Sequence, residues 1–142
     1  MRWLIVACLL LVGPVIRAAD PDDAHYSKPG VRKELVAAID AQLAAFRASD
    51  FAGAYKLAAE PLRLQFTLKQ FTAMVTRTYP LIAHNQRAEF GLPMDDGVNA
   101  TLTVRVYGAS GKFAVYRYVL AREAAAWRIS GVLPESAPGP DA

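Results

Sequence analysis

Between Val31 and Ala48 the apolar residues Val31, Leu35, Ile39, Leu43 and Phe46 recur at three- and four-residue steps, with Arg32, Lys33, Asp40 and Gln42 off that stripe. This period predicts an amphipathic helix. Asp50 is a suitable N-cap for a second, shorter helix through Phe51, Ala54, Tyr55 and Ala58, which Pro61 is expected to end. Thr67-Leu-Lys-Gln70 matches a capping box and opens a third helix with Leu68, Phe71, Met74 and Val75 inward, closed by Tyr79-Pro80. After Pro80 the period shortens to two. Ala100, Leu102, Val104 and Val106 alternate with Thr101, Thr103, Arg105 and Tyr107, and Gly108-Ala-Ser-Gly111 supplies a hairpin turn. Lys112 to Arg122 is the return strand, Glu123-Ala-Ala a second turn, and Ala126 to Leu133 a last strand with Trp127 and Ile129 on one face. A weaker strand is expected over Ile82 to Gly91. Three helices followed by about four antiparallel strands predict an α+β domain with its helices on one face of the sheet.

The apolar residues ahead of this domain follow no such period. Met1-Arg2 is a short positive n-region, Trp3 to Val12 is an unbroken apolar run, Gly13-Pro14 breaks it, and Ala18-Ala19 offers small residues for cleavage. This is the pattern of a secretory signal peptide, cut after Ala18, and it predicts a periplasmic or secreted protein. The run is shorter than the roughly 20 residues a bilayer span needs, so no stable membrane insertion is expected after cleavage. The expected organisation is a signal peptide at 1–18, a polar leader at 19–30, one domain at 31–133 and a Pro-rich disordered tail at 134–142.

Composition narrows the chemistry. With 54% hydrophobic and 20% charged residues the chain is globular in type. Cys8, its one cysteine, lies inside the signal, so the mature domain is expected to use neither disulfides nor thiolate metal ligands. Loss of Arg2 and Arg17 lowers the formal charge from +3 to about +1, and the remaining Lys and Arg are scattered singly, which argues against a nucleic-acid partner. His25 and His84 are the two histidines and no HExxH is present, so no metal is expected. No GxSxG elbow, P-loop or GxGxxG is present, and no cofactor is implied. Asp95-Asp96-Gly97 is read as a turn.

The hairpin suggests where a ligand could meet the sheet. A two- or four-residue loop would set Val106 opposite Val115, Val104 opposite Arg117 and Leu102 opposite Val119. Arg117 would then stand alone on an apolar face. There it snorkels out along its stem, pairs with a helix carboxylate such as Asp40 or Glu60, or serves as an anion-binding group in a sheet-lined cavity. A three-residue loop would change the register and remove these possibilities. The opposite face would carry Arg105, Tyr107, Tyr116 and Tyr118, which suit either a solvated sheet face or a homodimer contact.

Several of these residues recur in one order. Ala41-Gln-Leu-x-Ala-Phe46, Asp50-x-x-x-Ala-Tyr55, Phe66, Phe71-x-x-Met-Val75, Tyr79 and Trp127-Arg-Ile-x-Gly131 resemble the bacterial family known as domain of unknown function 4864, over roughly residues 33 to 133. That family resembles the nuclear transport factor two-like superfamily, also described as ketosteroid isomerase-like and cystatin-like. The resemblance implies helices packed in a cone against a curved antiparallel sheet, and it implies no activity, because the superfamily includes isomerases, dehydratases, cyclases and inert binding or dimerisation modules. Catalysis of the isomerase kind would need a tuned acid and base inside the cone, for which Asp40, Tyr55 and His84 are the candidates. Asp40 lies off the apolar stripe, and Tyr55 reads as core with its hydroxyl bonded near the rim. The expectation is a non-enzymatic exported domain that binds a small anionic or apolar ligand, with Arg117 and Tyr55 as candidate contacts, or that associates through its sheet. The alternatives are a cofactor-independent isomerase or lyase and a structural partner in an envelope complex.

Overall fold

The computed structural model describes residues 23–136. The predicted signal peptide lies outside them, as does most of the predicted tail. The elements run β1 (His25–Tyr26), α1 (Pro29–Arg47), α2 (Phe51–Lys56), α3 (Glu60–Gln65), α4 (Leu68–Thr78), α5 (Pro80–Ala83), β2 (Arg87–Phe90), β3 (Met94–Asp95), β4 (Asn99–Tyr107), β5 (Phe113–Glu123) and β6 (Ala126–Ser136). Among the described residues the class is α+β, with five α-helices and a six-stranded open antiparallel sheet instead of three helices and about four strands.

The additional helices come from prolines. Tyr79-Pro80 closes α4 as expected, and Pro61 and Pro80 each also occupy the first turn of a further helix, where the missing N–H is no loss. Thr67 and Gln70 form the expected capping box of α4, and the Asp50 side chain caps α2 by accepting from Gly53 N at 2.9 Å. α1 buries Leu35, Ile39, Leu43 and Phe46 as its stripe predicts, together with Gln42, which was expected outside it. Gln42 Nε2 donates to Ala54 O at 3.0 Å and so ties α1 to α2. Asn85 sits where strand was expected. It is buried, its Nδ2 donates to Leu43 O and Ile82 O, and its Oδ1 accepts from Arg47 Nη1.

β2 and β3 lie end to end along one edge of β4. Buried Pro93, which has no N–H for a ladder, falls in the gap between them. β1, inside the segment read as leader, pairs with β3, and β6 extends to Ser136, three residues beyond the expected domain end. At the other edge, Leu57 to Ala59 close the start of β6. Ile129 N donates to Leu57 O at 3.0 Å and Ala59 N to Ile129 O at 2.8 Å. Two register shifts interrupt the β5–β6 pairing, and such bulges bend strands. The turn between these strands places Ala124 and Ala125 at φ of 47° and 69°, a conformation that asparagine and glycine adopt with far less strain.

The β4–β5 register differs from the expectation by one residue. Tyr107 pairs with Phe113, leaving a five-residue loop, so Val106 faces Ala114, Val104 faces Tyr116 and Leu102 faces Tyr118. Ser110 adopts a φ of 62° inside this loop, beside Gly111 at 77°. An odd loop length exchanges the faces of β5 relative to β4. The inner face is therefore Ala100, Leu102, Val104 and Val106 with Ala114, Tyr116, Tyr118 and Leu120, all of them buried.

Candidate functional site

A cavity of about 600 Å³, open on one side, lies between the helices and the β5–β6 end of the sheet. The bottom is formed by Phe46, Phe71, Val75, Ile82, Tyr118 and Ile129, and the flanks by Leu62 and Phe66 of the α3 region, Met74 and Thr78 of α4, and Gly131 to Leu133 of β6. Helix periodicity explains α4's share: Phe71, Met74, Val75 and Thr78 fall on one face, three or four residues apart. α3 has no buried residue and covers the cavity edge through Pro61, Leu62 and Gln65, while Leu64 points outward at 80% exposure. The described lining contains no carboxylate, imidazole, guanidinium or amine.

Among the polar side chains of the described wall, Gln42, Tyr79 and Ser130 donate to backbone carbonyls. Tyr79 donates its hydroxyl to Val132 O at 2.9 Å, and Ser130 Oγ donates to Val119 O at 3.1 Å. Tyr118 differs: the residue is wholly buried, and its hydroxyl has no hydrogen-bond partner among the described residues. Burial pushes its pKa well above the usual tyrosine value, with the neighbouring hydroxyls of Tyr116 and Tyr79 adding to the shift. Burial raises Tyr116 as well. At neutral pH Tyr118 is thus an uncharged donor and a very poor base.

This has a measurable sign. The folded chain holds these phenolic protons longer than the unfolded chain, whose tyrosines ionise near pH 10, so stability is complete below about pH 10 and falls as pH rises beyond it. Urea unfolding between neutral pH and about pH 11.5 should show that decline, and Tyr118→Phe should make it shallower. Equal slopes for the two proteins would contradict the burial account.

The residues singled out from sequence do not converge on this cavity. Arg117, expected on the apolar face, is exposed on the opposite one, where its Nε and Nη2 donate to Glu135 Oε1 and Oε2 at 2.9 and 2.7 Å. The one-residue register difference is the cause, and the ion pair is made within the sheet and not with Asp40 or Glu60. Tyr55 is half-buried and packs on Phe71, with its hydroxyl 2.6 Å from Phe66 O and 2.9 Å from Arg63 O. It holds the α3–α4 connection in place and does not line the cavity. Asp40 and His84 are exposed.

The expected tyrosine–arginine face divides for the same reason. Tyr116 and Tyr118 turn into the core, and Arg105 and Tyr107 remain outside. There Tyr107 donates to Glu89 Oε1 at 3.1 Å, the Arg87 guanidinium lies 3.8 Å from the Tyr107 ring centre, and hydrogen bonds from Arg87 and Tyr107 lower the Glu89 pKa. Asp95-Asp96-Gly97 forms the expected turn, with Asp96 Oδ1 accepting from Val98 N and Asn99 N. Sequence reasoning missed Tyr118 as a cavity residue. The available signal was Arg117 itself, because placing the one charged side chain of Ala114 to Ala121 outward puts Tyr116 and Tyr118 inward.

A second groove, of about 730 Å³, runs between the start of α1 and β2 and is more open. Its wall mixes Arg32, Lys33 and Glu89 with Val36, Phe90 and Leu92, and it has neither the enclosure nor the apolar lining of the first.

A family model described as "Domain of unknown function (DUF4864)" matches residues 30–142. No curated protein and no solved structure matches the chain.

Proposed function

The chain belongs to this family, DUF4864, whose description assigns no activity, and from the geometry of its own cavity we propose a non-enzymatic protein that binds one small apolar molecule. The observation that carries this reading is the wall: about 600 Å³ enclosed largely by aliphatic and aromatic side chains, a volume within the usual range for ligand sites. An isomerase or lyase of this shape would need an acid and a base facing one another across the bound molecule. Asp40 and His84 lie outside the cavity, and Tyr55 is engaged by backbone carbonyls, so the reading favours binding over turnover. The order of helices then antiparallel strands, with a cavity between the two layers, supports a cone of the nuclear transport factor two-like kind. Export belongs to the same proposal and rests on the Met1-Arg2 n-region, the apolar run to Val12 and the Ala18 cleavage position.

Titration with N-phenyl-1-naphthylamine, an uncharged dye that fluoresces in apolar surroundings, tests the reading directly. The expected result is saturable one-to-one binding with a Kd on the order of micromolar. A linear, unsaturable signal would reject the cavity as a binding site.

A further inference from the structure

Two buried side-chain donors have no acceptor among the described residues, Tyr118 Oη and Trp127 Nε1, and of the two residues Tyr118 lines the cavity. An O–H taken out of water without a replacement acceptor forfeits a hydrogen bond that the unfolded chain makes. None of the nearby polar side chains accepts from it: Tyr79 Oη, Ser130 Oγ and Gln42 Nε2 donate to Val132 O, Val119 O and Ala54 O, and neither those hydroxyl oxygens nor Gln42 Oε1 lies in hydrogen-bonding position to Tyr118.

Resting on the reading of the cavity as a binding site, we infer that Tyr118 is its polar anchor and that the ligand is an uncharged molecule with an apolar body and an oxygen acceptor, such as a ketone, ester or ether. The anchor donates its one proton to that oxygen, and the apolar body fills the space between α4 and β6. A carboxylate or phosphate does not suit the site. It would shed its water against a wall with no cation, and Arg117, the candidate countercharge, faces the other way and is bound to Glu135. The Tyr118 hydroxyl is itself closed to water, so an acceptor reaches it by displacing a wall side chain. Met74, half-buried and unbranched, is the lining residue whose type best suits such a displacement.

The test is displacement of N-phenyl-1-naphthylamine from the full chain by three molecules of one length: 2-nonanone, nonane and nonanoate. The affinity of 2-nonanone relative to nonane should be about tenfold higher in the wild type than in Tyr118→Phe, the gain of one well-placed hydrogen bond to a buried donor, and in the wild type 2-nonanone should compete better than nonanoate. Tyr118→Phe keeps the ring and its packing, so the dye and nonane should bind it as they bind the wild type while the ketone alone weakens. An unchanged ketone preference in that variant, or nonanoate as the strongest competitor, would overturn the anchor and leave the binding site standing. Failure of the dye to bind the wild type would overturn both.

Discussion

Leu43→Ala lowers the unfolding free energy by about 3 kcal/mol, within the range for emptying a fully enclosed leucine site. Leu43 has no exposed surface and sits on the buried stripe of α1 between Ile39 and Phe46. Its carbonyl also accepts from Asn85 Nδ2, so the backbone at this point is tied to the start of the β region and cannot easily close over the void. Unfolding in urea, monitored by far-ultraviolet circular dichroism, measures the loss. Leu64→Ala is the matched comparison: Leu64 is 80% exposed, and its truncation should change stability by less than about 0.5 kcal/mol. Similar losses in the two variants would mean that α1 does not supply the centre of the core.

Met74→Trp should weaken binding of N-phenyl-1-naphthylamine by about a hundredfold or more, equivalent to nearly 3 kcal/mol. Met74 is half-buried and faces the cavity from the middle of α4, so an indole at this position projects into the volume the dye would use. Overpacking a filled core costs about 1–3 kcal/mol, but here the added bulk has space beside it, and the fold should persist. Leu92→Trp, at a 66% exposed position on the opposite flank, should leave affinity unchanged. Equal affinity in the wild type and Met74→Trp would move the dye out of the cavity. A loss in Leu92→Trp would instead point to the shallow groove beside β2.

Much of the fold was legible because periodicity reports burial directly. The stripe of α1, the capping box of α4, and the alternation of β4 each hold as read, since each is decided by neighbours within one or two turns of chain. What failed depended on longer-range information or on residues with two uses. Proline ends one helix and starts the next with equal ease, so Pro61 concealed α3. Asn85 and Gln42 are polar residues buried because particular carbonyls require them, and no pattern in the chain announces those carbonyls. The cavity was lost through a single integer, the length of the loop after Tyr107. With Ser110 adopting a left-handed conformation usually left to glycine, that loop holds five residues, and this parity alone sends Arg117 out and Tyr118 in.

The alanine pair at the β5–β6 turn has a kinetic meaning. A hairpin with Asn-Gly at its tip can close from the turn outward, because the turn favours the returning geometry before any strand contact exists. Ala124 and Ala125 oppose that geometry, so the turn itself does not favour β6 pairing with β5 ahead of the strands' own contacts. The rest of its bonding comes from partners distant in sequence: Ile129 with Leu57 and Ala59, Val132 with Tyr79. Contacts between chain segments that far apart are slow to assemble. Refolding followed by pulsed hydrogen exchange should therefore show the β6 wall of the cavity protected after α4, which faces it.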